Sequence, residues 1–135
     1  MRRLILTAVL AGLCGASVAA NETPLSQNKR VMDGFYTIGT ADIIRKTCPR
    51  INARMVRALM LLGSLERYAK DQGYSEDEID AFLDDDAEED RLRARIVSDL
   101  QKRGVPPGDV EAHCRVGLEE IAADSPVGRL LRSSN

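Results

Sequence analysis

Residues 51–73 read INARMVRALMLLGSLERYAKDQG, and this stretch decides the fold class. Ile51, Met55, Ala58, Leu62, Leu65 and Ala69 follow one another at spacings of four and three. Residues so spaced are neighbours on one face of an α-helix. Val56, Leu59, Met60 and Leu61 widen the apolar surface past a single stripe. A helix apolar over most of its circumference is expected at the centre of its fold. The pattern predicts a helix over 52–72, stopped by Gly73. Its polar side carries Arg54, Arg57, Glu66, Arg67 and Lys70.

The flanking segments read as helices too. Upstream, Ile38, Ala41, Ile44 and Cys48 share one face, which predicts a helix over 33–47. Gly34 and Gly39 weaken it, and Pro49 ends it by pushing Cys48 out of the helical region. Downstream, Ser75 and Glu78 have the spacing of a capping box, ahead of a short helix burying Ile79, Phe82 and Leu83. The acids from Asp84 to Asp90 then suit the start of a further helix, running through Leu92, Ile96 and Leu100 to Gly104. Val105-Pro106-Pro107-Gly108 is a break. A fifth helix is expected over 109–123, with Val110, Cys114, Gly117 or Leu118, and Ile121 facing inward. A sixth helical turn, 125–132, presents Val127, Leu130 and Leu131. No segment alternates like a strand. The expected fold is all-α, a compact bundle of five to six short helices in one domain spanning 33–132.

The first twenty residues read differently. Arg2 and Arg3 precede an apolar run from Leu4 to Leu13, and small residues follow up to Ala20. This is the pattern of a cleavable signal peptide, cut before Asn21 or one residue earlier. The run is too short for a bilayer, which needs about 20 apolar residues, and no other stretch approaches that length. Cys14 is preceded by Leu13 rather than a small residue, which argues against lipoprotein processing. Cleavage leaves 115 of the 135 residues and takes the net charge from −2 to −4. Residues 21–32, with Pro24, are expected to form a flexible lead-in. The location that follows is periplasmic, with no integral membrane segment in the mature chain.

Export places Cys48 and Cys114 in an oxidising compartment, where a disulfide is the default. Its loop would span 66 residues, and loop-closure entropy gives such a bond about 4 kcal/mol. The spacing suits neither a dithiol redox site nor a zinc knuckle.

Functional motifs are scarce. His113 is the one histidine, and it adjoins Cys114. Adjacent helical residues diverge by about 100°, so they do not form a nucleophile–base pair, and a surface or cap position is expected for the ring. The acids at 84–90 lack the alternation and glycine of a calcium loop. A negative charge and an absence of Trp disfavour nucleic acid as a partner. No catalytic, metal or cofactor motif is present. What remains is a set of arginines, Arg50, Arg54 and Arg57, on one side at spacings of four and three, a candidate surface for an acidic envelope protein.

The run from Gly39 to Met55, the segment from Gly73 to Ala81, His113-Cys114, and the end from Ser125 to Leu131 resemble a family of exported alphaproteobacterial proteins, domain of unknown function 5333. The resemblance implies no cofactor and no catalytic residue. Some members carry labels tied to respiratory NADH dehydrogenase, although only two cysteines survive export here and nothing resembles a flavin, iron–sulfur or quinone site. The architecture is also similar to small periplasmic acid-stress chaperones. Protonating the 21 acids would leave 17 basic residues plus His113, a charge able to expand the domain. The leading expectation is a non-enzymatic accessory or assembly factor for an envelope protein or complex, with the stress chaperone as alternative and an enzyme of unknown reaction ranked last. N-terminal sequencing of the secreted protein is expected to begin at Asn21 or Ala20; retention of residues 1–20 would contradict export.

Overall fold

The computed structural model describes residues 23–134. The signal-peptide reading, residues 1–20, lies outside the described residues. Among the described residues five α-helices carry the fold: α1 Lys29–Thr47, α2 Met55–Asp71, α3 Glu76–Leu83, α4 Asp86–Lys102 and α5 Val110–Ala122. Short 3₁₀ turns precede α1 at Leu25–Gln27 and follow α5 at Gly128–Leu130. The helical, disulfide-bonded bundle expected from the periodicity is the observed one, with one addition. Two three-residue strands, β1 Ile51–Ala53 and β2 Leu131–Ser133, pair antiparallel, Ile51 opposite Ser133 and Ala53 opposite Leu131. Strands this short leave no alternation to detect.

Four helix starts carry side-chain caps, among them the Ser75/Glu78 box that the sequence indicates. Asn28 accepts from the Val31 N–H at 3.2 Å, Ser75 and Glu78 form the capping box, Asp85 accepts from Ala87 and Glu88, and Asp109 accepts from Ala112. The Asn28 cap corrects one expectation. The segment read as a lead-in is ordered from Leu25, and α1 begins at Lys29 because Leu25 and Val31 are both buried. These residues join Ala69, Tyr74 and Ile79 in a small second core, edged by an edge-to-face Phe35–Phe82 pair at 5.4 Å. Tyr74 closes it by donating to the Thr23 carbonyl at 2.9 Å.

The central element is α1, against which α2, α4 and α5 all pack. Gly34 and Gly39, which weaken α1 in isolation, are contact points. A Cβ on Gly34 would overlap Leu65 of α2, and one on Gly39 would lie 2.7 Å from Ile96 of α4. The close approach offsets the roughly 1 kcal/mol that a helical glycine costs against alanine. Between α1 and α4, Tyr36 donates to Asp99 at 3.1 Å, and Arg95 lies over the Tyr36 ring. Burial first, and then the hydrogen bond to Asp99, raise the Tyr36 pKa.

The main core gathers Ile44, Ile51, Ile96, Val105, Val116 and Leu131 around the Cys48–Cys114 disulfide. Both cysteines are fully buried, with Cα atoms 5.0 Å apart. As expected, the bond ties the end of α1 to the buried face of α5. Beside it, Gly128 lets the C-terminal turn lie on α5: a Cβ there would overlap the Glu120 carbonyl. Backbone cannot yield as a side-chain tip can. Gly128→Ala is therefore expected to lower stability by about 3 kcal/mol, and Cys48→Ala with Cys114→Ala by about 4 kcal/mol. Urea unfolding would measure both, and a loss under 1 kcal/mol in either would contradict this packing.

Candidate functional site

The largest departure from expectation concerns α2. It buries only Leu65 and Ala69, near its far end. Met55, Val56, Leu59 and Met60 are 56, 72, 62 and 68 % exposed. The helix read as the centre of the fold thus lies at its edge, with the apolar half of its surface outside. Leu83 and Val110, expected inward, are also exposed, and of the pair Gly117 or Leu118 it is Gly117 that faces inward; these exposed residues stand singly, which is ordinary for a surface. The four residues of α2 differ because positions 55/59 and 56/60 form two adjacent rows on one helix face.

Two anchors hold α2 in this attitude. At its start the chain has just left β1, and the Arg54 N–H donates to the Leu130 carbonyl at 2.7 Å. At its end Leu65 seats on Gly34 while Ala69 enters the second core. Leu61 also packs against the main core. A helix pinned at both ends presents its outer rows as a rigid surface. Beside them lies an open groove of about 650 Å³, walled by Gly34 and Thr37 of α1, Met60 and Leu61 of α2, and Pro126 and Leu130 of the C-terminal segment.

The sequence-predicted arginines divide. Arg50 is not on α2 at all; it lies in the turn before β1 and pairs with Glu111 at 2.9 Å. The assumed helical spacing of Arg50 to Arg54 is therefore absent, because β1 interrupts the helix. Arg54 immediately precedes α2 and its Nε donates to the Leu131 carbonyl at 2.9 Å. Arg57 reaches the Arg129 carbonyl at 3.2 Å and lines the groove. All three are exposed. Two further exposed arginines edge this end of the molecule and were missed in sequence: Arg129, also in the groove wall, and Arg132 on β2, opposite Asn52. Only the fold brings residues 54 and 132 together. Among the described residues Arg54, Arg57 and Arg132 meet no carboxylate, and Arg129 has Asp124 at 3.8 Å. Alone of the five helices, α2 has no side-chain cap and no acid in its first turn.

The remaining candidates have structural occupations. His113 is buried rather than superficial, its Nδ1 2.7 Å from the Asp109 carbonyl. Its neighbour Cys114 is oxidised, so the two make no nucleophile pair. A cavity of about 220 Å³ adjoins His113, but its two cations are committed, Lys46 to Asp42 at 2.7 Å and Arg93 to Glu89 at 2.9 Å. Burial alone would raise the Asp42 pKa; hydrogen bonds from Lys46 and Arg45 outweigh it and hold the carboxyl below its ordinary value. Of the acids at 84–90, Asp85 caps α4, and Glu88 and Glu89 pair with Arg91 and Arg93. No helix among the described residues is long and apolar enough to cross a membrane.

Fold and surface together define a small disulfide-tied helical domain with an unsatisfied apolar face. The chain belongs to the family of unknown function DUF5333, whose sequence profile matches residues 23–132. No curated protein and no solved structure matches it. The matched span includes Cys48, Cys114, α2, β1 and the first two residues of β2.

If the outer rows of α2 support no packing, polar replacements there leave the fold intact. Leu59→Ser and Met60→Gln are each expected to change stability by no more than about 0.5 kcal/mol. Leu65→Ala, inside, should cost about 2–5 kcal/mol. Thermal melts of the three would contradict the placement of α2 if the first two matched the third.

Proposed function

We propose that this protein is an exported, non-enzymatic partner-binding domain, an accessory or assembly factor for a protein or complex of the cell envelope, and that it docks through the first half of α2. The observation that carries the reading is the pair of apolar rows, Met55/Leu59 and Val56/Met60, each residue more than half exposed on a helix anchored at both ends. Contiguous apolar surface of this kind marks interaction sites on soluble proteins. Methionine adds to the case, being common at adaptable binding surfaces. Export is supported by the buried disulfide, since such bonds persist outside the reducing cytosol.

The test is recovery of companions with the tagged full-length chain from the producing cell under mild cross-linking. One dominant envelope protein at near-equal amount is expected. Leu59→Arg with Met60→Arg, or Arg54→Glu with Arg57→Glu, should abolish its recovery, whereas Leu118→Arg, on exposed surface elsewhere, should leave it unchanged. Equal recovery in all variants would overturn the surface assignment. Many companions appearing only after acid shock would replace this reading with that of a client-holding chaperone.

A further inference from the structure

We infer that the occupant of the α2 face is an acidic amphipathic helix of the partner protein, seated along α2 with its carboxylates against Arg54, Arg57, Arg129 and Arg132. This deepens the docking reading and rests on it. Two observations carry it, the shape of the apolar surface and the charge around it.

The shape is that of one half of a helix pair. The exposed rows run along α2 at four-residue spacing, and such ridges are complementary to the grooves of a second helix. The adjoining groove, between α2, α1 and the C-terminal segment, is lined by Gly34, Leu61 and Leu130, by Arg57 and Arg129, and by one acid, Asp33, whose charge Lys29 offsets in an ion pair. A helix in a groove offers side chains at i, i+3, i+4 and i+7, and these would fill the groove and cover the rows together.

The charge selects the kind of helix. The chain as a whole is net negative, −2 over its length. Yet this end carries four exposed arginines, and three of them meet no carboxylate among the described residues. Along α2 the first acid is Glu66. The start of α2 adds the positive end of a helix dipole with no capping side chain. Carboxylates on the occupant would meet all of these. Elsewhere on the described surface, by contrast, arginines and lysines are largely paired: Arg45 and Lys46 with Asp42, Lys70 with Glu66, Arg91 with Glu88, Arg103 with Glu120.

The same charges disfavour other occupants. A second copy docked about a twofold axis through this face would bring Arg54 and Arg57 against their own counterparts. An anionic lipid surface would attract the arginines but repel the acids that dominate the chain, and a flat bilayer does not fill a groove.

The experiment places p-benzoylphenylalanine at position 59 of the full chain in the producing cell, with irradiation and mapping of the cross-linked segment by mass spectrometry. The expected product is an adduct to a partner segment with apolar residues at helical spacing and acids flanking them. Arg57→Glu should reduce that adduct at least tenfold while Arg57→Lys keeps it. Arg57 is the position of choice because its one bond is to a surface carbonyl, and circular dichroism would verify that the variant folds. An adduct to a second copy, to lipid, or to a segment without flanking acids overturns this inference and leaves docking by α2 standing in the first and third cases. An adduct to an acidic segment that Arg57→Glu does not weaken also overturns it. No adduct at all overturns the docking reading itself.

Discussion

The disulfide between Cys48 and Cys114 is the constraint on which the rest of the molecule depends. It fixes the last residue of α1's path against the inner face of α5, where both sulfurs are fully buried. With that junction set, Ile44, Ile51, Val116 and Leu131 converge on it and the two short strands close over it. A chain of this size, with two Phe, three Tyr and no Trp, has little large aromatic surface to bury, and the cross-link confines its unfolded state.

That solution to the core has a consequence at the surface. Because α1, α4, α5 and the C-terminal strand supply most of the main core, α2 contributes to it chiefly through Leu61 and is otherwise held at its two ends. Its start is held by the Arg54–Leu130 backbone bond and its end by Leu65 and Ala69. The stretch between is left with Met55, Val56, Leu59 and Met60 outside. The exposed rows are thus not a loosely packed region but the outer side of a well-held helix, the arrangement expected of a binding surface that must be rigid before its partner arrives.

Local chemistry made most of the fold legible. The Ser75/Glu78 box, the acid-rich start of α4 and the break at Pro106-Pro107-Gly108 each act over a few residues and appear where the local sequence puts them. The disulfide was expected from the export pattern read in the first twenty residues and from the cysteine count. What escaped depends on distant chain. Apolar periodicity identified α2 as a helix but not which helix occupies the centre; α1 holds that place through Gly34 and Gly39, residues that count against a helix when read locally. The ordering of residues 25–32 required the partners of Leu25 and Val31 in the second core. Of the arginine face, Arg54 and Arg57 were found from the helix pattern, Arg50 was misplaced by the strand at 51–53, and Arg129 and Arg132 were invisible because only the folding of the C-terminal turn and β2 against this end brings them near.

The central claim is that the first half of α2 is open in the isolated domain and covered in the cell. Methionine reports on both. Met55 and Met60 lie in the exposed rows, while Met32 of α1 is half-buried. Mild peroxide treatment followed by peptide mass spectrometry measures sulfoxide formation at each. The account predicts that Met55 and Met60 oxidise well before Met32 in the purified protein, and that this lead disappears when whole cells are treated. Slow oxidation of Met55 and Met60 in the purified protein would contradict the structure of α2, and an undiminished lead in cells would contradict its role as a docking face.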